Sequence, residues 1–380
     1  MKFLRTKTEK KAIISISDLH LGAGPFVDRR DNPLEEFHRD KELEKFLEYF
    51  STGSYENFSV ELVINGDFLD FLAVPYGNFF EDQYWSEKAA LSRLEMIYKG
   101  HKQVFVALEK FLSKPHKKLI YILGNHDGEL ILPEVYRRFF EFFNPSVREK
   151  ITLLPLDDAE YRPIEEVVFK HGHEYETANY RHSDDAILKD SDGQRFYNPP
   201  WGSYYVVSVV NKFKMFTPHI QSVRPIRKFL IHGLIYDTIN TVRFMFANVA
   251  YFFMVRFIYI FQSNRKPKEI VNLIKQELLL FRNYQLITEQ YFLAHPEVKA
   301  LVVGHTHGPI FKQQWEGPVF INTGTWTKMY NLDFGRPLVM DPMTFALIQV
   351  DDFDDFHSEV SLGLFDWNGG INQGPYGQFF

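Results

Sequence analysis

Two histidines, His305 and His307, stand in Gly304-His305-Thr306-His307-Gly308, directly after the apolar run Ala300-Leu301-Val302-Val303. Imidazole is the commonest side-chain metal ligand, and flanking glycines allow sharp turns and close approach. Other β-like runs end the same way. Ala12 to Ser17 leads into Asp18-Leu19-His20, and Val60 to Ile64 into Asn65-Gly66-Asp67. Lys118 to Leu123 leads into Gly124-Asn125-His126-Asp127, and Glu166 to Lys170 into His171-Gly172-His173. Taken singly, an Asp after Gly is an ordinary turn residue and an Asn before His an ordinary cap. Together, in order and each after a strand, they point to a metal site where open α/β folds bind ligands, at the carboxyl edge of a sheet. The chain has no Cys, so no thiolate metal site is available.

The elements that must hold these loops are legible in outline. Asp40 to Phe50 reads as a helix. Ala90, Leu94, Ile97, His101, Val104, Leu108 and Phe111 form one apolar stripe across 86–112; His101 within it reads as a packed residue, not a ligand. A short helix is expected after Pro133. Asp70 reads as a helix cap or an acceptor behind the site. Past residue 309, short strands are expected at Ile310 to Gln313, Pro318 to Ile321 and Thr344 to Val350. A length of 380 residues suits two or three units of about 150 residues, or one domain carrying an insertion.

The insertion lies between His171 and Gly304, a span far longer than a strand crossover needs. Near its start, Asn179-Tyr180-Arg181-His182 is a polar cluster; Arg181 offers a partner for a phosphate oxygen, and a solvated helix start is the plainer reading. From Asn211 to Lys268 there are ten basic residues and one acidic residue, Asp237, in a chain whose net charge is -6. The same stretch is dense in Phe and Tyr. A basic, apolar, helical segment in an acidic chain suggests an anionic membrane surface or lipid tails. The alternative is a helical cap whose aromatics pack on the body or across a dimer. Its longest uncharged run, Phe244 to Val255, is twelve residues, short of the roughly eighteen that spanning requires. The overall acidity argues against a nucleic-acid partner.

The strand-end residues resemble the calcineurin-like metallophosphoesterase superfamily, whose signature runs Asp-x-His, Gly-Asp, Gly-Asn-His-Asp/Glu, a later His, and Gly-His-x-His. The match covers residues 12–173 and 299–350. It implies an α/β fold of four layers, a sandwich of two β-sheets flanked by helices (α/β/β/α) with a large helical insertion. Residues 1–175 and 296–350 would form the catalytic domain, 176–295 a basic and aromatic lid, and 351–380 a C-terminal tail, loosely packed or flexible from Gly369. Asp18, His20 and His307 would hold one divalent metal, Asn125, His171 and His305 the other, and Asp67 would bridge them. Mn²⁺ is the expected ion, with Fe or Zn²⁺ as alternatives. Two ions about 3.5–4 Å apart can activate water and clamp phosphoryl oxygens. His126 would stabilise charge or protonate the leaving oxygen, with Asp127 orienting it. His173 is expected behind the ligands, with direct ligation as the alternative, and it joins Arg181 and His182 as a candidate substrate contact. Asn322-Thr323-Gly324-Thr325-Trp326 resembles a turn that recurs beside such sites.

The lid after the fourth motif looks like that of the UDP-2,3-diacylglucosamine pyrophosphatases of lipid A synthesis, peripheral membrane enzymes that use Mn²⁺. The resemblance implies a hydrolase of a lipid-linked phosphodiester or pyrophosphate, cytoplasmic and peripheral on the inner face of the membrane, touching it through 211–268. That branch typically carries Arg where this chain has His126, and Asp where it has His173. The alternatives are a soluble nucleotide phosphodiesterase or nuclease, a protein phosphatase of the same superfamily, and a non-catalytic binding protein on this fold.

Overall fold

The structure is a computed structural model that describes residues 10–76, 82–154, 156, 160–176, 178–215, 223–224, 234, 237–262, 284–313, 317–331, 339–354 and 357–373. The first sheet contains the parallel strands β1 (Lys11–Ile16), β2 (Ser59–Asn65), β3 (Lys117–Ile122) and β4 (Ile151–Leu154). The second is built on β5 (Tyr161–Ile164), β6 (Val167–Phe169), β7 (Ala300–Val303), β8 (Ile310–Gln313) and β9 (Val319–Asn322), in the order β8-β9-β7-β6-β5. There β6, β7 and β9 are parallel, and β5 and β8 close the edges in the opposite sense.

Successive side chains of a strand face opposite ways, and the strand sequences use both faces. From β1, Ala12, Ile14 and Ile16 join the cluster packed under helices, whereas Ile13 belongs to the cluster between the sheets, with Val63 and Ile120 of its own sheet and Phe169, Val302 and Ile321 of the other. The helices on the outer side of the first sheet are α1 (Asp40–Tyr49), α2 (Glu87–Gly100), α3 (Lys102–Ser113) and α4 (Pro133–Glu141). The outer face of the second sheet, with Val168, Leu301, Val303 and Phe320, packs against Tyr291 and Phe292. The result is the expected four-layer α/β sandwich. Both faces of its parallel strands are covered, which is why β1, β2 and β7 read as near-continuous apolar runs.

Several boundaries differ from the sequence reading. The 86–112 stripe is two helices, broken at His101, whose φ is -124°. Gly100 lies so close to the backbone of Ala23 and Gly24 that a Cβ on it would come within 2.6 Å of the Ala23 carbonyl. His101 then fills the joint, with Nδ1 2.9 Å from Asp40 Oδ1 and Nε2 3.4 Å from Glu35 Oε2. Burial alone would lower the pKa of this ring, but the two carboxylates push it up to about 9. The ring occupies the packed position the periodicity gave it.

The expected tail from 351 is instead part of the first sheet. Strands β10 (Thr344–Asp354) and β11 (His357–Trp367) form a long hairpin whose first strand runs antiparallel to β1, and β12 (Ile371–Asn372) finishes the edge. Phe345 and Trp367 pack around Phe46 of α1. Residues 374–380 lie outside the described residues.

The lid is likewise not set apart at 176–295. Helix α6 (Tyr284–Ala294), counting α5 as Thr238–Gln262, supplies the layer behind the second sheet. At the other end Ala186, Tyr197 and Val207 join the main core, and the lid contains a small hairpin of Ile187–Lys189 with Arg195–Tyr197. Lys214 Nζ makes a 2.7 Å ion pair with Glu36, and Asn211 donates to the Leu72 carbonyl at 2.7 Å. Of the basic residues between 211 and 268, Arg227, Lys228, Arg265, Lys266 and Lys268 lie outside the described residues.

Candidate functional site

The loops after β1, β2, β3, β6 and β7 meet at one end of the sandwich. Their backbones are held in an unusual way. Asp18, His20, Asp67, His305 and His307 all have φ between 50° and 67°, the left-handed region, which costs a non-glycine residue on the order of 1–3 kcal/mol. Cross-loop hydrogen bonds over-determine this geometry. Asp18 N donates to Gly66 O at 3.1 Å, His20 N to Asp67 O at 3.0 Å, and His305 N to Asp18 Oδ2 at 2.9 Å. His126 N donates to Asp67 Oδ1 at 2.8 Å, and Thr325 Oγ1 to Asp18 O at 2.6 Å. The glycines earn their place by proximity. A Cβ on Gly66 would sit 2.1 Å from His171 Nδ1, and one on Gly124 would sit 2.1 Å from Asp67 Oδ1. Gly308, in contrast, faces open space, so its expected role in close approach is absent.

The ligating atoms fall into groups. Asp18, His20 and His307 form one, Asp67, His171 and His305 another, and His20, Asp67 and His126 a third that overlaps both, with the donor atoms in each group within 4.8 Å of one another. His20 Nε2 lies 3.0 Å from His307 Nε2, which lies 3.4 Å from Asp18 Oδ1. His171 Nε2 is 3.3 Å and His20 Nε2 3.9 Å from the same oxygen, Asp67 Oδ2, which puts Asp67 between the groups. Two ligands about 2.0–2.1 Å from one ion lie roughly 3–3.5 Å apart, so the His20–His307, His307–Asp18 and His171–Asp67 separations have the edge lengths of coordination polyhedra, and the His20–Asp67 separation is slightly longer. His171 Nδ1 is bonded to Asn65 O at 2.7 Å and His20 Nδ1 to Asp70 Oδ2 at 3.2 Å, an arrangement that fixes the tautomers and leaves both Nε2 lone pairs for a cation. Asn125 Oδ1 and His171 Nε2 are buried without a hydrogen-bond partner. A buried amide oxygen and imidazole left unbonded are costly unless something fills the site, and a divalent cation fits them. The structure thus gathers Asp18, His20, Asp67, His171, His305 and His307, and Asn125 lines the same cavity as Asp67 and His305.

His126 sits at the rim of this cluster. Its ring meets that of His20 edge-on at 4.6 Å, and its Nδ1 lies 2.9 Å from Asp70 Oδ1. Burial would lower its pKa, yet Asp70 and Asp67 raise it to about 9. Asp67 shows the converse: burial alone would raise it, and His171 and His126 hold it well below the usual carboxylate range. Asp127 does not orient His126. Its carboxylate instead accepts from Gly124 N at 2.5 Å, from Phe68 N at 3.0 Å and from Tyr121 Oη at 2.6 Å. It ties the β2 and β3 loops together beneath the site, and burial followed by repulsion from Asp67 raises it to about 7. The orienting carboxylate is Asp70, which holds His20 with one oxygen and His126 with the other and also caps Ala73 N at 3.0 Å. Both expected roles of Asp70, cap and acceptor, are present.

A cavity of about 350 Å³ opens over the cluster, towards the small end of the ~300–1,000 Å³ range of ligand sites. Asp67, Asn125, His126, His305 and His307 line its floor, and Trp201, Tyr205, Val206 and Tyr251 of the lid line its wall. The expected substrate residues are elsewhere. Arg181 donates to the Pro199 carbonyl at 2.8 Å, and His182 is an exposed cap at the start of the helix Ser183–Ala186. His173 is buried behind His171, with ring centroids 5.3 Å apart. Burial, then His171 and His305, depress its pKa well below the ordinary value. None of the three lines the cavity. Glu176, Asn179, Trp201 and Asn248 do; Asn179 belongs to the polar cluster noted in the sequence, whereas no local pattern marks the other three, which reach the site through the fold of the lid.

Comparison with known proteins follows the same lines. The sequence profile of the calcineurin-like phosphoesterase family matches residues 12–309. Solved structures align over most of the chain at low identity. A dimetal phosphatase from Danio rerio is 10% identical over 94% of this chain and 99% of its own, with a TM-score of 0.35. A calcineurin-like phosphoesterase from Bacillus subtilis is 11% identical over 94% and 91%, with a TM-score of 0.31. A vacuolar protein sorting protein from Cryptosporidium parvum is 12% identical over 94% and 99%, with a TM-score of 0.27. At these scores the structures add nothing to the profile match. No curated protein matches the chain.

Proposed function

Because the chain belongs to the calcineurin-like phosphoesterase family, we propose that it is a dinuclear enzyme hydrolysing a phosphodiester or pyrophosphate bond in a lipid-linked substrate, UDP-diacylglucosamine-like in build. Two divalent cations, Mn²⁺ foremost, would be held by Asp18, His20 and His307 on one side and by Asn125, His171 and His305 on the other, with Asp67 shared. When bound, they supply Lewis-acid charge and an activated water. The chain's own residues do the rest. His126 presents Nε2 to the cavity, because Nδ1 is taken by Asp70, and it is placed to give a proton to the leaving oxygen. Asp70 fixes the ring and sustains its charge. Trp201, Tyr205 and Tyr251 offer an aromatic wall to the part of the substrate beyond the phosphate.

The observation that carries the lipid reading is the outer face of α5. Tyr251 and Phe244 turn inward to the lid core, while Ile239, Val242, Phe246, Val249 and Phe253 are exposed along the opposite side, Phe246 to 72%. Such a helix, apolar on both faces, needs a cover on the outer one, and acyl chains or a membrane surface beside the cavity mouth supply it. Among the described residues no helix is long and apolar enough to cross a membrane, so contact with the bilayer would be peripheral. The cavity suits a head group, with the acyl chains running out over α5.

The test compares Mn²⁺-loaded protein on a diacylated sugar nucleotide in detergent micelles with the same protein on bis(p-nitrophenyl) phosphate, cyclic nucleotides and single-stranded DNA. The lipid reading predicts kcat/KM at least about tenfold higher for the acylated substrate, and a gain on adding micelles. Equal or faster cleavage of the nucleotides, with no response to detergent, supports the soluble phosphodiesterase instead.

A further inference from the structure

We infer that Glu176 is a positioning residue for the second metal site, holding His305 so that its Nδ1 faces the cation. The assignment rests on the dinuclear reading above. Glu176 Oε2 lies 2.9 Å from His305 Nε2. That nitrogen is therefore a donor engaged by a carboxylate, and Nδ1 is the nitrogen left with a lone pair for the group of Asp67, His171 and His305. Metal-bound histidines commonly donate their other ring N–H to a carboxylate, which fixes the tautomer and makes the ring a stronger ligand.

The carboxylate is itself held. Asn179 Nδ2 donates to the same Oε2 at 2.6 Å. Asn179 is admitted by a close approach of the lid, since a Cβ on Gly202 would stand 2.4 Å from Asn179 Oδ1. Gly202 N also donates to Ala178 O at 2.8 Å. A chain of contacts thus runs from the lid helix at Trp201–Tyr205 through Asn179 and Glu176 to His305. His171 has no equivalent on the lid, because its Nδ1 is held by the Asn65 carbonyl at the end of β2. Of these two rings, one is oriented by the core and the other by the lid. Glu176 and Asn179 also face the cavity, where an uncompensated carboxylate would repel phosphate; its bond to His305 and the adjacent cation offset that charge.

Glu174 is the natural control. It stands two residues away on the same turn but points elsewhere, accepting from Gly172 N at 2.8 Å and pairing with Lys170 at 3.5 Å. The experiment is Mn²⁺ titration by calorimetry on the full chain, for wild type, Glu176→Gln, Asn179→Ala and Glu174→Gln, with the His305 tautomer read from ¹⁵N chemical shifts of the metal-free proteins. Wild type should take up two ions and show Nε2–H on His305. Glu176→Gln should weaken one of the two affinities about 10–100-fold and shift the ring towards a tautomer mixture. Asn179→Ala should move the same affinity less, and Glu174→Gln should move neither. Two unchanged affinities in Glu176→Gln, or an equal loss in Glu174→Gln, overturn the assignment alone. Wild type that binds no metal overturns the dinuclear reading along with it.

Discussion

Asp67→Ala is expected to abolish measurable turnover, a loss of more than about a thousandfold in kcat, and to strip both cations from the purified protein. The reason is position. One carboxylate oxygen, Oδ2, stands between the ring nitrogens of His20 and His171, which belong to the two different ligand groups. The other, Oδ1, accepts from His126 N, so the loop that carries Asn125 and His126 is registered on the same side chain. Removing it leaves imidazoles gathered around a hole, with nothing to offset two divalent charges near one another. Asp67→Asn separates the effects, because it keeps the shape and an acceptor for His126 N while removing the charge. It should fold as wild type by circular dichroism and still lose most metal, as measured by elemental analysis. Retention of two ions and wild-type turnover in either variant would mean that the bridging position is wrongly assigned.

The second large effect separates Asp70 from Asp127. Asp70→Asn should reduce kcat by about a hundredfold to ten-thousandfold, the range expected when a general acid loses its charge and orientation. It should also weaken metal binding at the His20 side about 10–100-fold, since the same carboxylate holds both rings. Asp127→Asn should act differently. Its three donors come from Gly124, Phe68 and Tyr121, and an amide has one oxygen to meet them. A buried donor is left unmet at a cost of about 1–3 kcal/mol, seen as a lower unfolding midpoint with kcat changed far less than in Asp70→Asn. If the ranking of kcat is reversed, Asp127 rather than Asp70 orients the acid.

Asp70 and Asp127 also mark what a single sequence can and cannot say. The ligands were legible because each is tied to a strand end, and strand ends are written in local composition: an apolar β-branched run, then Gly and a polar residue. The four-layer order was implied by the family resemblance, and the same runs agree with it, since continuous apolarity requires cover on both faces. Which carboxylate serves His126 was not legible, because it depends on the course of two loops after their strands end. Asp127 is adjacent in sequence and turns down towards Tyr121, whereas Asp70 arrives from the β2 loop. Arg181 and His182 were drawn towards the site by sequence proximity to His171, but Arg181 bonds to Pro199 O and His182 caps its own turn. Of the β10–β11 hairpin, Thr344 to Val350 reads as a strand and the rest as a tail, because the acidic run that starts at Asp351 lacks the apolar signal of a strand although Asp351, Asp352 and Asp354 pair with β11. Glu176 carries no local signal at all, and its contact with His305 joins residues 129 positions apart in the chain, with the lid folded between them.

All of these roles require two cations side by side on this set of residues. Anomalous X-ray diffraction from crystals grown with Mn²⁺, measured above and below the manganese edge, tests this arrangement most directly. Two anomalous peaks about 3.5–4 Å apart are expected. One should lie against Asp18, His20 and His307, the other against Asn125, His171 and His305, with Asp67 touching both. A single peak, or none at full Mn²⁺ occupancy of the medium, would contradict it.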